Sequence, residues 1–228
     1  MTSNQLELWE SYFYPETYDP FEGVGTLRNL FGERDAGVLR TLEYLYVERR
    51  QRQLGEGEVH IARTYDAQHV RSAHRHLFQD VYGWAGQHRV VDMGKGQSLF
   101  ADIEMGEIGR YLDDAERIVK STDWGSLDHE GFADRAATVF AYVNQAHPFR
   151  EGNGRSSKAF MQDVADLSRF SLDYGRVTSR QWNQGSELGG PDRDQYRPQP
   201  ASLIPVFRAV AVPRVDNQSS AVDGVETD

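Results

Sequence analysis

The 228-residue sequence predicts a mainly α protein, a helical bundle with one short β-hairpin set outside it. Three observations lead there. Apolar residues recur at helical spacing in five separate stretches. The segment RVVDMGKGQSLFA, residues 89 to 101, breaks that rhythm, with two short apolar pieces flanking Gly94-Lys95-Gly96. The hydrophobic share of 39% supports one sizeable core, and no apolar run approaches the roughly 20 residues of a membrane span.

The elements follow in order. Residues 1–30 are rich in Tyr, Pro, Gly and Asp and read as an extended arm anchored by Trp9, Tyr12, Phe13, Tyr14 and Tyr18. A first helix starts near Ala36, with Val38, Leu39, Leu42, Leu45 and Tyr46 inward. Asp66 can cap a second, with Val70, Ala73, Leu77 and Val81 on one stripe, ended by Gly83 and Gly86. After the hairpin, a third helix spans about 102 to 120 and turns Ile103, Ile108, Tyr111, Leu112, Ala115 and Ile118 inward. A fourth runs from about 128 to 146 on Phe132, Ala136, Val139, Phe140 and Val143. A fifth runs from about Asn153 to Ser168 on Phe160, Met161, Val164 and Leu167. A short helix over 179 to 188 and a last one at ASLIPVFRAVA close the fold, and disorder is expected from about Pro213.

The formal net charge of −10 and the lack of a basic stripe argue against direct nucleic-acid binding. There are no cysteines, which excludes disulfides and thiolate metal sites. The start has no basic segment followed by an apolar run, so it does not read as a signal peptide, and a cytoplasmic location is expected.

The chemistry concentrates in HPFREGNGR, residues 147 to 155. His147 continues the inward stripe of the fourth helix, four residues after Val143 and seven after Phe140. Pro148 turns the chain, and Phe149 is a natural buried anchor. Gly152, Asn153 and Gly154 open the next helix, where unpaired N–H groups and the positive end of the dipole make an anion site. Arg155 and Lys158, at i and i+3, lie away from Phe160, Val164 and Leu167 and extend the positive field. Glu151 beside an anion nest makes sense if it holds Mg²⁺ bridging phosphates. His147 has the pKa class of a base that takes a proton from a hydroxyl. Together these are parts for transfer of a phosphate-linked group to a hydroxyl.

The nine residues resemble the signature of the Fic family, H-x-F-x-[D/E]-G-N-G-R-x-x-R. LFQDVYGWAG is similar to the helix before that family's flap, VVDMGKGQSLFA to the flap hairpin and GVGTLRN to its N-terminal arm, so the resemblance covers about residues 18 to 210. It implies a helical Fic fold over 31–212, between the arm (1–30) and a tail (213–228). It also implies AMP transfer from ATP to a Tyr, Thr or Ser hydroxyl of a target protein. On that reading His147 is the general base, Glu151 the magnesium ligand, and Gly152, Asn153, Gly154 and Arg155 the phosphate site. Lys95 and Gly96 are the flap residues that would contact the target. The chain departs at Lys158, where the family has a second arginine for the γ-phosphate; lysine keeps the charge without the two-armed fork.

Two other functions stand beside this one. A Doc-like phosphotransferase would transfer the γ-phosphate, but its motif typically has lysine where this chain has Gly154. A nucleotide-binding protein with a decayed site is the third reading, and Lys158 alone points to it. The HRH at 74 to 76 is not a metal site by spacing, because i and i+2 face different sides of a helix. Fic proteins are commonly restrained by a helix carrying [S/T]-x-x-x-E-[G/N]. SLDHEG, Ser126 to Gly131, matches, yet it precedes the motif helix, where it reads as a cap. The resemblance therefore points to a bacterial toxin held by a separate small antitoxin carrying that helix, with DNA gyrase or topoisomerase IV as the target class.

Overall fold

The structure, a computed structural model, describes residues 3–95, 98–193 and 195–214. Eight α-helices and two small antiparallel sheets account for the regular structure among them. The helices are α1 (Ser3–Ser11), α2 (Ala36–Gly55), α3 (Ala67–Phe78), α4 (Glu107–Ser121), α5 (His129–Ala146), α6 (Asn153–Ala165), α7 (Ser179–Leu188) and α8 (Ile204–Val210). One sheet pairs β1 (Gly94–Lys95) with β2 (Ser98–Leu99). The other pairs β3 (Phe170–Leu172) with β4 (Ala211–Pro213).

The bundle is organised around α5. Phe132, Ala133, Ala136, Ala137, Val139, Phe140, Ala141, Val143 and Ala146 are buried on every side of it, the pattern of a central helix rather than a surface one. Asp128 starts it by accepting the Gly131 N–H at 2.8 Å. α4, α6 and α8 pack against it. α3 lies on α6, and α2 lies on α3, with a second apolar cluster of Leu39, Val47, Leu77, Phe78, Val81 and Tyr82 between them. Asp66 caps α3 as expected, taking the His69 N–H at 2.9 Å. Polar contacts reinforce the seam of α3 and α6: the His69 ring meets Asp163 at 2.9 Å, while Arg63 reaches both Asp163 and Asp166.

Several expectations need correction. Part of the arm is helical: α1 carries Trp9, and isolated bridges Phe13–Leu27 and Asp19–Val24 fold the rest back on itself. On α2 the inward residues are Leu39 and Val47, whereas Val38 and Leu45 face solvent. The apolar residues of α2 run nearly all round it, so periodicity alone could not choose the buried face. α3 stops at Phe78 rather than at Gly83 or Gly86, and α4 starts at Glu107, five residues late, because Gly106 sits in the left-handed region at φ 67°. α6 ends at Ala165, which leaves Leu167 exposed. The sheet of β3 and β4 was not expected. Pro213 belongs to it and Arg214 donates to the Phe170 carbonyl, so the ordered chain passes 213. The remainder of the expected tail, 215–228, lies outside the described residues.

The burial pattern of α2 makes a direct prediction. Leu39→Ala should cost about 2–4 kcal/mol, as core leucine truncations do, and Leu45→Ala less than about 0.5 kcal/mol. Denaturant midpoints of the two variants check this, and equal losses would return Leu45 to the core.

Candidate active site

The residues 147 to 152 form a tight loop from the C-terminus of α5 to the N-terminus of α6. His147 caps α5 in the left-handed region, at φ 38° and ψ 56°, a conformation non-glycine residues seldom take. Phe149 is fully buried. Asn153 folds its side chain back over the loop: Oδ1 accepts the Phe149 N–H at 2.9 Å, and Nδ2 donates to the Phe149 carbonyl at 2.7 Å. The Asn153 side chain is thus a staple for the loop.

The two glycines of the motif do different work. Gly152, at φ 82°, lies so close to Phe78 that a Cβ there would stand 2.2 Å from Cζ of that ring. The packing of Phe78 therefore requires glycine at this position. Gly154 is exposed, and a Cβ there would meet nothing within 4 Å. The open side of the α6 N-terminus is therefore at Gly154. Asn153 and Gly154 occupy the first turn, whose N–H groups have no intrahelical acceptor.

The charges are arranged more tightly than expected. Arg155 turns back to α2, where Nη2 donates to Glu43 Oε1 at 2.5 Å, and its guanidinium lies 4.7 Å from the centre of the Phe78 ring. Glu43 also accepts the hydroxyl hydrogen of Tyr82, whose pKa is pushed up by burial and by that carboxylate. Glu151 stands 3.8 Å from Arg155, and its Oε1 accepts the Gly152 N–H at 2.9 Å. Lys158 sits between two rings, its ammonium 4.7 Å from the centroid of Trp182 and 4.9 Å from that of Tyr174, and burial lowers its pKa. Arg155 and Lys158 are neighbours on α6, but they face different partners.

Residues without an expected role at this site hold the loop. His74 is fully buried against Phe149, ring centroids 3.8 Å apart. Its Nδ1 accepts the Gly86 N–H at 2.9 Å, so the proton is on Nε2, which donates to the Glu151 carbonyl at 2.9 Å. Burial pushes its pKa down to about 4, and the ring is neutral. Arg150 is buried with its guanidinium 4.1 Å from the Trp9 ring, and Phe13 and Tyr12 lie further along the same cation. The arm aromatics thus pack onto the motif itself. Arg89, inside the apolar stretch before the hairpin, donates to the His147 carbonyl at 2.8 Å. Neither His74 nor Arg89 carried a signal beyond a polar residue among apolar ones.

The hairpin lies beside the loop. Phe100 stacks on the His147 ring, centroids 3.7 Å apart and planes 8° from parallel. Gln145 donates from Nε2 to the Leu99 carbonyl at 2.9 Å. Lys95 is in β1, while Gly96 lies outside the described residues. The SLDHEG stretch is not at the site: Ser126 is in a 3₁₀ turn, the cap is Asp128, and Glu130 pairs with Arg208 of α8 at 2.5 Å.

The Fic/DOC family model matches residues 64–165, the stretch from the α3 cap to the end of α6. A relative from Sinorhizobium fredii, the probable protein adenylyltransferase y4lH, is 33% identical over 172 residues that cover 74% of this chain and 86% of that protein. This chain belongs to the Fic/DOC family. The protein adenylyltransferase VbhT of Bartonella schoenbuchensis is 31% identical over 76% of this chain, although that stretch spans only 36% of VbhT. Among solved structures, the N-terminal Fic domain of Bep8 from Bartonella superposes with a TM-score of 0.75 at 19% identity, covering 90% of this chain and 95% of that one. The BepC protein of Bartonella tribocorum, solved with bound AMPPNP, gives 0.72 at 21% identity, covering 90% of this chain and 98% of that one. The mainly helical fold with its small hairpin is the fold of those domains.

The neutral His74 sets a pH dependence. Its folded pKa of about 4 lies below the ordinary value of 6.5, so between those two pH values the unfolded chain binds the extra proton. Stability from this residue is complete above about pH 6.5 and falls as the pH drops toward 4, by about 3 kcal/mol in all. His88, also lowered by burial, acts in the same direction. Denaturation of the wild type and of His74→Gln at pH 7 and pH 4.5 separates the two. The variant should lose less on acidification, and an equal loss would remove His74 as the buried neutral group.

Proposed function

We propose that this chain is a protein adenylyltransferase that transfers AMP from ATP to a hydroxyl side chain (Tyr, Thr or Ser) of a target protein. The observation that carries the reading is one loop bringing together His147, the half-exposed carboxylate of Glu151 and the open helix start at Gly154. The names of the relatives, protein adenylyltransferases at 26–33% identity over most of this chain, support it.

In that reading the target hydroxyl oxygen attacks the α-phosphorus, its proton passes to the His147 imidazole, the bond from the α-phosphorus to the bridging oxygen breaks, and pyrophosphate leaves. The N–H groups of Asn153 and Gly154 receive phosphate oxygens at the α6 N-terminus. Arg155, oriented by Glu43, adds a fixed positive charge at the same end. Glu151 fits Mg²⁺ chemically: one carboxylate oxygen donor beside a phosphate site, with the substrate supplying further oxygens, is the usual arrangement for that ion. Bound there, Mg²⁺ would neutralise charge on the phosphates; Glu151 itself is held in place by the Gly152 N–H and the His74 contact to its carbonyl. Lys158 would offer the γ-phosphate one charge from its aromatic seat.

Restraint by a separate antitoxin bearing [S/T]-x-x-x-E-[G/N] belongs to the same proposal. What supports it is that Glu130, the glutamate of the stretch that matches, lies in the first turn of α5, paired with Arg208 and at the opposite end of that helix from His147. DNA gyrase and topoisomerase IV are the first targets to test, in the cytoplasm. No helix among the described residues is long and apolar enough to cross a membrane.

The deciding experiment is the intact mass of candidate targets after incubation with Mg-ATP. An adenylyl adduct is expected; a phosphoryl adduct would establish the Doc-like reaction, and no adduct with any target would leave a binding protein. His147→Ala should lower transfer at least ~10²-fold with the fold intact. Glu151→Gln should lower activity and blunt its response to added magnesium. Undiminished labelling by the histidine variant would remove His147 as the base.

A further inference from the structure

We propose that Arg89 is a positioning residue that locks the stem of the hairpin to the backbone of His147, so that the base and the flap beside it keep one register. The proposal deepens the adenylyltransferase reading and rests on it for its kinetic consequences, though not for its structural ones.

Arg89 is buried, and its guanidinium is spent on three carbonyls, one in its own leg of the stem, one in the other leg and one in the motif loop. Nε donates to His147 O at 2.8 Å, Nη1 to Val91 O at 2.6 Å and Nη2 to Ala101 O at 2.6 Å. Its backbone N–H donates to Pro148 O at 2.8 Å. Val91 and Ala101 are the two ends of the hairpin segment, so one planar fork ties both legs of the stem to the residue that carries the base. The nearest carboxylate, Asp92, is 3.9 Å away, too long for a hydrogen bond, and burial pulls the guanidinium pKa down. A buried cation is costly unless its donors are met. Here carbonyl oxygens meet them, and an arginine is the only side chain with enough fixed donors to span all three.

The contact falls where the backbone most needs holding. His147 is left-handed, a conformation that costs free energy in a non-glycine residue and persists only when its surroundings over-determine it. Arg89 takes the carbonyl oxygens of both His147 and Pro148, which fixes the two peptide planes that set the direction of the imidazole. The other side of the register is the Phe100 ring on the His147 ring and the Ala101 N–H on Gln145 O at 3.0 Å. If the fork is lost, the loop can relax from the left-handed turn, and the ring and the flap stem lose their common reference. The phosphate site, built from α6 and stapled by Asn153, does not depend on Arg89.

That separation is what an experiment can read. Arg89→Lys keeps the charge but cannot span three carbonyls, and Arg89→Met removes the donors. In both, Mg-ATP affinity by calorimetry should change by less than about threefold, while the turnover number for AMP transfer drops roughly 10- to 100-fold, the scale of a misplaced catalytic group. Amide hydrogen exchange should rise at 91–95, at 98–101 and at 147–149. Arg50→Met, which breaks the remote pair with Asp80 at 2.7 Å, is the control for general destabilisation. Its turnover and exchange at those segments should stay near wild type at a temperature well below unfolding. Wild-type turnover and unchanged exchange in Arg89→Lys would overturn the proposal. So would a fall in nucleotide affinity matching the fall in turnover, since that marks a merely structural residue. If Arg89→Met does not fold, the lysine variant alone decides. If the wild type transfers no AMP, the adenylyltransferase reading fails, and exchange at 147–149 still judges the lock.

Discussion

Phe149 has no exposed surface, and both its backbone polar groups are taken by the side chain of Asn153. These facts belong together. Driving a ring into the core drags its N–H and carbonyl out of water, and each would cost free energy if left unmet. Asn153, the first residue of α6, meets both, so the burial of the ring and the start of the helix are one event. His147 two residues earlier and Glu151 two residues later are then fixed relative to the helix N-terminus. His74 extends the arrangement, stacking on the Phe149 ring and donating to the Glu151 carbonyl. Remove the buried ring and the loop loses its anchor, its cap and its link to α3 together.

Three arginines around this loop, two of them buried, show how an acidic chain handles positive charge inside its fold. Arg89 spends its donors on carbonyls, Arg150 lies on the rings of Trp9, Phe13 and Tyr12, and Arg155 pairs with the carboxylate of Glu43. Each solution suits its place. Carbonyl partners leave Arg89 charged but rigid, which serves a clamp. Aromatic partners let Arg150 bury its stem while holding α1 to the motif. A single carboxylate on one Nη of Arg155 orients the guanidinium beside Glu151 at the helix start. Had the sequence supplied lysine at position 89, one compact ammonium could not have spanned all three carbonyls.

How far the sequence disclosed this can be traced through particular residues. The long helices α4 and α5, the Asp66 cap and the motif loop were legible, because their signals are local: spacing, a capping side chain, glycines at a turn. The burial of Phe149 was legible too. What stayed hidden depends on contacts far apart in the chain. Glu43 and Arg155 are separated by 112 residues, Arg89 and His147 by 58, and His74 and Glu151 by 77. No periodicity encodes them. The β3–β4 pair escaped for the same reason, its strands being three residues each and about forty residues apart. On α2 the failure was different. Apolar residues lie on several faces, so the choice of Leu39 and Val47 over Val38 and Leu45 is made by Leu77, Phe78 and Val81 across the interface.

The hairpin shows what such long-range contacts are for. Two strands of two residues each cannot hold themselves in water. Its geometry must come from the stem, where Gln145 fastens Leu99, Phe100 lies on the His147 ring, and the Ala101 N–H bonds to Gln145 O. All of these lie on the last two residues of α5 or on its cap. α5 is the central, fully packed helix, the element least able to shift without disturbing the core. Fastened to that helix, the base of the hairpin and the imidazole of His147 share the geometry that the core imposes.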